Sequence, residues 1–244
     1  CSTQQCQVYS GAGKEHPRTT AAVKATRGMV MMGTDKQLVD ARFSAACGGH
    51  TESKHNIWGG AKDRHLRAVI DAIPGTSSHR RFAGGIDASN LRAFLDAPAS
   101  EFFEGKTRFG KGRFRWERTL STDELTRRVA AKYPQVGRLT DLEPMDRGAS
   151  GRIRRIRITG NAGSVVASGD LHLRRLFGGL RSSLFVVEKV GTGRAPTGFR
   201  FRGAGFGHGV GMCQVGAIGR AEHKYSYKQI LRHYYRGASL KRLY

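Results

Sequence analysis

The 244-residue sequence has no run of 18 or more apolar residues, which excludes a membrane-spanning helix within it. It has no internal repeat and no long low-complexity tract. No His-Glu-x-x-His occurs, so the commonest metallohydrolase signature is missing, and His50, His55, His65 and His79 lack matched ligand spacing. No Gly-x-Gly-x-x-Gly turn and no Gly-Lys-Ser/Thr follows its glycine-rich stretch, which excludes a nucleotide fingerprint there. Zinc-finger, RNA-motif and basic-zipper signatures are also absent. Acidic residues are scarce: 19 against 42 Lys and Arg, a formal charge of +23. Such a field attracts polyanions such as nucleic acid, anionic wall polymers or a membrane surface. The arginines are scattered (Arg113, Arg115, Arg118; Arg152, Arg154, Arg155, Arg157; Arg174, Arg175) with no pure basic tail, so a solvated basic surface explains them equally well.

Strands and helices intersperse without a regular βαβ alternation, which predicts an α+β fold: mixed strands and short helices around one core, with a cleft. Pro17 and Gly28 bracket a helix, the first by its fixed φ and the second as a stop. Strands are expected at 29–32 and 38–46, around a turn at 33–36. A short helix is expected at 88–95, a strand at 116–120, and then a helix opened by the capping box of Ser121 and Glu124. A strand meander follows at 139–145, 152–158 and 164–167, and Asp170 is expected to cap a helix running to Gly178. A strand at 183–187 and helices at 214–222 and 226–234 complete the pattern. Residues 97–115 are expected as a loop insertion.

From 203 to 211 glycine occupies every second position, in Gly203-Ala204-Gly205-Phe206-Gly207-His208-Gly209-Val210-Gly211. On an extended segment this puts the glycines on one face and Ala204, Phe206, His208 and Val210 on the other. A face without side chains lets another backbone or a flat ligand ring approach closely. The favoured expectation is the floor of a site, with His208 and Gln214 at its end; the alternative is a tight crossing of strands. An ordinary imidazole pKa of about 6.5 would let His208 carry charge there.

The string Gly207-His208-Gly209-Val210-Gly211-Met212-Cys213-Gln214-x-Gly216-Ala217 resembles the hallmark of the stage II sporulation protein D / amidase-enhancer family, in which serine usually stands at the position of Cys213. Three further stretches resemble the same family in order along the chain. They are Cys1-Ser2-Thr3-Gln4-Gln5-Cys6-Gln7-Val8-Tyr9; Ala46-Cys47-Gly48-Gly49-His50-Thr51-Glu52 with Asn56-Ile57-Trp58-Gly59; and Tyr225-Ser226-Tyr227 through His233-Tyr234-Tyr235. The resemblance spans residues 1–244 as one domain lacking its N-terminal part.

It implies binding of peptidoglycan glycan strands and their cleavage in the manner of a lytic transglycosylase. One carboxylic acid then protonates the glycosidic oxygen, and its pKa must be raised to do so. In the family that glutamate lies N-terminal to the Cys-Gln-Val-Tyr motif, so the general acid is expected upstream of Cys1, and this chain alone is expected to be inactive. Glu52 is the best internal carboxylate, with a loop-shaping role weighed above a catalytic one. The resemblance places His50, Thr51, Glu52, Gly205, Gly207, His208, Gly209 and Gln214 at the glycan, in a cleft. The second reading is a non-catalytic amidase enhancer that uses the same cleft to bind cell-wall glycan, alongside other wall hydrolases; nucleic-acid binding ranks behind both. Catalysis of this kind needs no cofactor.

Some family members hold structural zinc through the cysteines matching Cys1 and Cys6. Here Gln5 stands where a histidine is usual, so a disulfide is an equal alternative. The resemblance also brings Cys47 and Cys213, both at serine-like positions, side by side at one cleft, as a disulfide or a buried contact, the alternative being two merely small buried residues; a disulfide requires Cα atoms within roughly 7 Å. Its members are exported, so a periplasmic or cell-envelope location is expected, with membrane anchoring only through sequence before Cys1.

Overall fold

A computed structural model describes residues 11–191 and 195–244. In chain order the elements are α1 (Pro17–Ala25), β1 (Met29–Met32), β2 (Phe43–Ser44), α2 (Lys54–Trp58), α3 (Ser77–Phe82), α4 (Leu91–Asp96), α5 (Phe103–Lys106), β3 (Arg115–Ser121) and α6 (Thr122–Ala130). They continue with β4 (Leu139–Arg147), β5 (Ile153–Gly160), β6 (Ser164–Ser168), α7 (Asp170–Leu176), β7 (Phe185–Val190), β8 (Gly198–Ala204), β9 (Met212–Cys213), α8 (Gln214–Glu222), α9 (Tyr227–Tyr234) and β10 (Ser239–Arg242). The fold is α+β. Among the described residues no helix is long and apolar enough to cross a membrane.

The chain divides into two compact units, residues 1–39 with 238–244, and residues 40–237. In the smaller unit Pro17 opens α1, His16 accepts from the Arg18 amide, and β1 pairs antiparallel with β10. Gly28 has φ +71°, and a side chain there would strike the Tyr244 carbonyl, so glycine lets the two ends meet.

The larger unit is built on two antiparallel sheets, β3-β8-β7 and the meander β4-β5-β6. Alternation along β8 buries Phe199 and Phe201 and leaves Arg200 exposed, as period two requires. Phe185, Phe199 and Phe201 join Trp116, Leu142, Ile156, Ile158, Val129 and Leu173 in one buried cluster between the sheets and α6 and α7. Leu184, Val186 and Ala204 join Phe82, Phe94, Phe102 and Phe114 in a second. The capping box is partly formed: Ser121 Oγ accepts from the Glu124 amide at 3.1 Å. Asp170, expected to cap α7, instead stands inside its first turn and accepts from Ser183 Oγ at 2.6 Å, while Gly169 takes the cap position.

Two further corrections concern the site. The stretch 97–115 is no loose loop; it carries α5, and Phe102, Phe103 and Glu104 are wholly buried. The glycine run is not an extended strand either. Gly205, Gly207, Gly209 and Gly211 have φ of +81°, +101°, +75° and +72°, a backbone that glycine adopts freely and side-chain-bearing residues rarely do. β8 therefore ends at Ala204, and the chain descends through left-handed turns to β9, which pairs in parallel with β2.

Candidate functional site

The coiled glycine run lies against the segment that follows β2. Ala46 and Phe206 exchange both backbone hydrogen bonds (3.1 and 2.8 Å), and the Glu52 amide donates to the Gly209 carbonyl at 2.9 Å. A Cβ on Gly205 would meet the Ala46 carbonyl at 2.9 Å, one on Gly211 would overlap the Arg42 carbonyl at 2.0 Å, and one on Gly209 would overlap the Arg152 guanidinium at 2.3 Å. The glycines are thus occupied by the protein's own backbone and by one arginine. The expectation that they form the floor of a sugar site gives way to the strand-crossing alternative.

Cys47, Gly48 and Gly49 lie at the centre of this crossing. Gly48 and Gly49 have φ of +80° and +98°, so the three successive amides point the same way, as in the anion-binding concavity called a nest. The occupant is internal. Glu104 Oε1 accepts from the amides of Cys47 (2.9 Å), Gly48 (2.9 Å) and Gly49 (3.2 Å), and from the thiols of Cys47 (2.6 Å) and Cys213 (3.1 Å). Cys47 and Cys213 therefore do lie together, and both are free thiols rather than a disulfide. Burial pushes the Cys213 thiol up to about 12 and the Cys47 thiol well above its ordinary value, so both stay protonated donors. Burial, and then the nearby Asp71, raise Glu104 above the usual carboxylate range. Asp71 itself accepts from Arg220 (2.8 and 3.0 Å) and from Tyr234 Oη (2.7 Å).

His50, Thr51 and Glu52 do not line an open cleft, for all three are buried. Thr51 exchanges hydrogen bonds with Val69, its Oγ1 accepting from the Val69 amide at 2.8 Å. His50 Nδ1 donates to the Thr51 carbonyl at 2.8 Å, and burial lowers the imidazole's pKa. Both Glu52 oxygens are engaged: Oε1 accepts from the Ser53 amide and Asn56 Nδ2, Oε2 from the Ser150 amide and hydroxyl. Ser150 Oγ accepts in turn from Arg152 Nη1 at 2.9 Å, so one hydroxyl links a buried carboxylate to a buried guanidinium. Glu52 thus clamps two loops, and both of its oxygens are engaged by the protein's own donors rather than turned toward solvent.

His208 is different. It is partly exposed, its Nδ1 accepts from the Val210 amide at 3.0 Å, and its ring packs on Trp58 with centroids 4.9 Å apart. The proton therefore sits on Nε2. Burial, reinforced by Arg152, Arg174 and Arg42 and opposed by Asp170, holds its pKa at about 4. At that value the ring is neutral near pH 7, which corrects the expectation that His208 carries charge there. Beside it stands Trp58 (48 % exposed), with the Arg42 guanidinium 5.1 Å from its ring centre; two residues before His208 in the chain, Phe206 is 37 % exposed with Arg181 over it at 5.8 Å. Gln214 is exposed in the first turn of α8, whose N-cap is the Cys213 sulfur, accepting from the Gly216 amide at 3.1 Å. Cys1 and Cys6 lie outside the described residues.

Sequence reasoning passed over Trp58, although it quoted the motif that contains it; an aromatic between Ile57 and Gly59 was the available signal. Glu104, Asp71 and Arg152 carried little local signal, because apart from Ser150 beside Arg152 their partners are 24 to 163 positions away.

A model of the family described as a domain of unknown function (DUF8618) matches residues 52–211, about two-thirds of the chain. Over 239 residues the chain is 28 % identical to an uncharacterized protein of Brachyspira hyodysenteriae, covering 98 % of this chain and 53 % of that protein. Over 252 residues it is 25 % identical to the amidase enhancer of Bacillus subtilis, covering 98 % of this chain and 34 % of that protein. The chain thus spans about half and about a third of the lengths of these relatives.

Proposed function

We propose that this chain, which belongs to the DUF8618 family, binds the glycan strands of bacterial peptidoglycan through the face built by Trp58, His208 and Phe206. The observation that carries the reading is the pairing of the exposed Trp58 ring with a neutral His208 whose Nε2–H is the ring's remaining donor. A pyranose has one face of C–H groups, weakly positive, that settles on the electron-rich face of an aromatic ring. Its rim of hydroxyl and acetamido groups needs polar groups beside that ring, which Nε2–H and Arg42 supply. An enclosed cationic imidazole would suit an anion better; a neutral one suits a sugar. The distant likeness to an amidase enhancer supports a cell-wall role.

Cleavage of the lytic transglycosylase kind belongs to this proposal only with a general acid from sequence preceding Cys1, since Glu52 is spent on Ser53, Asn56 and Ser150. The amidase enhancer's likeness favours the second reading, in which the same face binds glycan without cutting it. An exported, envelope location accompanies either.

Sedimentation of the full-length protein with purified glycan strands stripped of peptide tests the face. Trp58→Ala is expected to weaken binding at least tenfold while leaving the circular dichroism unchanged, and unchanged binding would remove the proposal. Anhydromuramyl products from the same strands mean cleavage, and intact strands mean the enhancer role.

A further inference from the structure

Cys47, Asp71, Glu104 and Cys213 each offer one ligand atom, and the four atoms lie within 4.8 Å of one another in the buried interior. They come from four separate places: the loop after β2, the loop before α3, α5, and the last residue of β9. We propose that this cluster is a structural site for one zinc-class divalent ion, held by two thiolates and two carboxylates.

The donor set comes first. Four protein ligands closed to solvent are what a structural zinc site has, whereas a catalytic site leaves a position open. Spacing comes next. Zinc–sulfur and zinc–oxygen bonds of roughly 2.3 and 2.0 Å put tetrahedral ligand atoms about 3.3–3.8 Å apart. Cys47 Sγ and Asp71 Oδ2 are 3.6 Å apart, and Cys213 Sγ and Glu104 Oε1 are 3.1 Å apart. The two edges from the thiols to Glu104 Oε1, at 2.6 Å from Cys47 and 3.1 Å from Cys213, must open.

Two further observations point to a ligand that the protein's own bonds do not supply. Glu104 is fully buried, yet its Oε2 has no hydrogen-bond partner, while Oε1 is crowded by five donors. A cation in place of the two thiol protons would relieve Oε1 of two of its five donors, and Oε2 is the carboxylate oxygen left without a protein partner. The Cys213 sulfur accepts from the Gly216 amide at 3.1 Å and, at 3.2 Å, from the Cys47 amide, which it shares with Glu104 Oε1. A neutral thiol is a weak acceptor; two amides aimed at one sulfur are the outer contacts that orient a metal-bound thiolate. Charge also balances. Two thiolates, two carboxylates and a dication leave two negative charges, and Arg220 on Asp71 and Arg115 on the Gly48 carbonyl supply two positive ones. Binding breaks two S–H bonds and makes two S–metal bonds; the protons pass to solvent, and nothing is oxidised or reduced.

Full-length protein purified without chelator or reductant, and desalted, is assayed for zinc by elemental analysis and for thiols under denaturing conditions. The expected result is about one zinc per chain, held until the protein unfolds. Refolding with Co(II) is expected to give the intense near-ultraviolet sulfur-to-metal band and tetrahedral visible bands. Cys47→Ser/Cys213→Ser is expected to lose that zinc; a visible cobalt spectrum in the parent tests the site even where the double variant does not fold. With Cys1→Ser/Cys6→Ser as the background, which removes the other two cysteines of this sequence, protein with no zinc and two titratable thiols, a mass deficit of about 2 Da mapped to the Cys47 and Cys213 peptides, or a folded Cys47→Ser/Cys213→Ser variant retaining its zinc would each overturn the assignment.

Discussion

Gly209 distinguishes an internal from a ligand-facing role for the glycine run. It is buried at φ +75°, and a Cβ there would stand 2.3 Å from Arg152 Cζ and 2.4 and 2.6 Å from its two terminal nitrogens. The guanidinium cannot swing away freely. It is fully buried, and it donates to the carbonyls of His50 (3.3 Å) and Cys47 (3.0 Å) and to Ser150 Oγ (2.9 Å). Gly209→Ala therefore has two costs. The left-handed backbone costs a side-chain-bearing residue about 1–2 kcal/mol. Displacing a charged donor from buried acceptors costs about 1–3 kcal/mol per group left unpaired.

Together these reach about 4 kcal/mol or more, against a total stability of about 5–15 kcal/mol for a typical domain. At about 2–4 °C per kcal/mol for a chain of this size, the melting temperature should fall by roughly 10 °C. Gly84→Ala is the control, since nothing lies within 4 Å of the added methyl and the backbone is not left-handed; it should change stability by less than about 1 kcal/mol. Urea and thermal unfolding of both variants measure the difference. The reasoning is refuted by a Gly209→Ala protein that melts within about 2 °C of its parent and yet loses glycan binding, for that glycine would then face the sugar.

Glu52→Gln should destabilise the fold by about 3 kcal/mol, since an amide NH2 would replace one of two acceptors facing buried donors and Arg152 would lose its counter-charge; an unfolding midpoint unchanged in urea would return Glu52 to the list of catalytic candidates. Acidification should weaken the fold through His208: its folded pKa of about 4 lies below the ordinary unfolded value of 6.5, so its contribution is complete above pH 6.5 and is lost as pH falls toward 4. That share is about 2 kcal/mol at pH 5, and urea titrations at pH 7 and 5 should show His208→Gln losing correspondingly less stability than the parent; an equal loss in both refutes it.

The elements with local signals were legible in the sequence. Pro17 opens α1 by its own fixed φ, while Ser121 caps α6 and Ser226 and Gln229 form a full capping box on α9 through residues three apart. The meander β4-β5-β6 was legible because its turns fall between alternating apolar residues. The glycine run was not. Its spacing of two is equally what an extended strand and a chain of left-handed turns produce, and only the opposing segment 42–47 decides between them. The site suffered for the same reason. Whether His50, Thr51 and Glu52 face solvent depends on Val69 and Ser150, which no spacing in the chain announces.

What remains of the motifs after this correction is a division of labour between alternate residues. Gly205, Gly209 and Gly211 permit contact with Ala46, Arg152 and Arg42, while Phe206 and His208, standing between them, turn outward. Cys47, Gly48 and Gly49 spend their amides on Glu104, and that fixes the backbone to which Phe206 is bonded through Ala46. The interior residues are therefore the ones that make the motif recognisable, and the interleaved ones are those a ligand can touch. A substitution in the first class should be read out as stability and one in the second as binding. If the proposed glycan binding holds, its contacts are to be sought at Trp58, Phe206 and His208 rather than at the glycines or at Glu52, and the buried thiols and carboxylates act through the backbone that Glu104 holds at Cys47, Gly48 and Gly49.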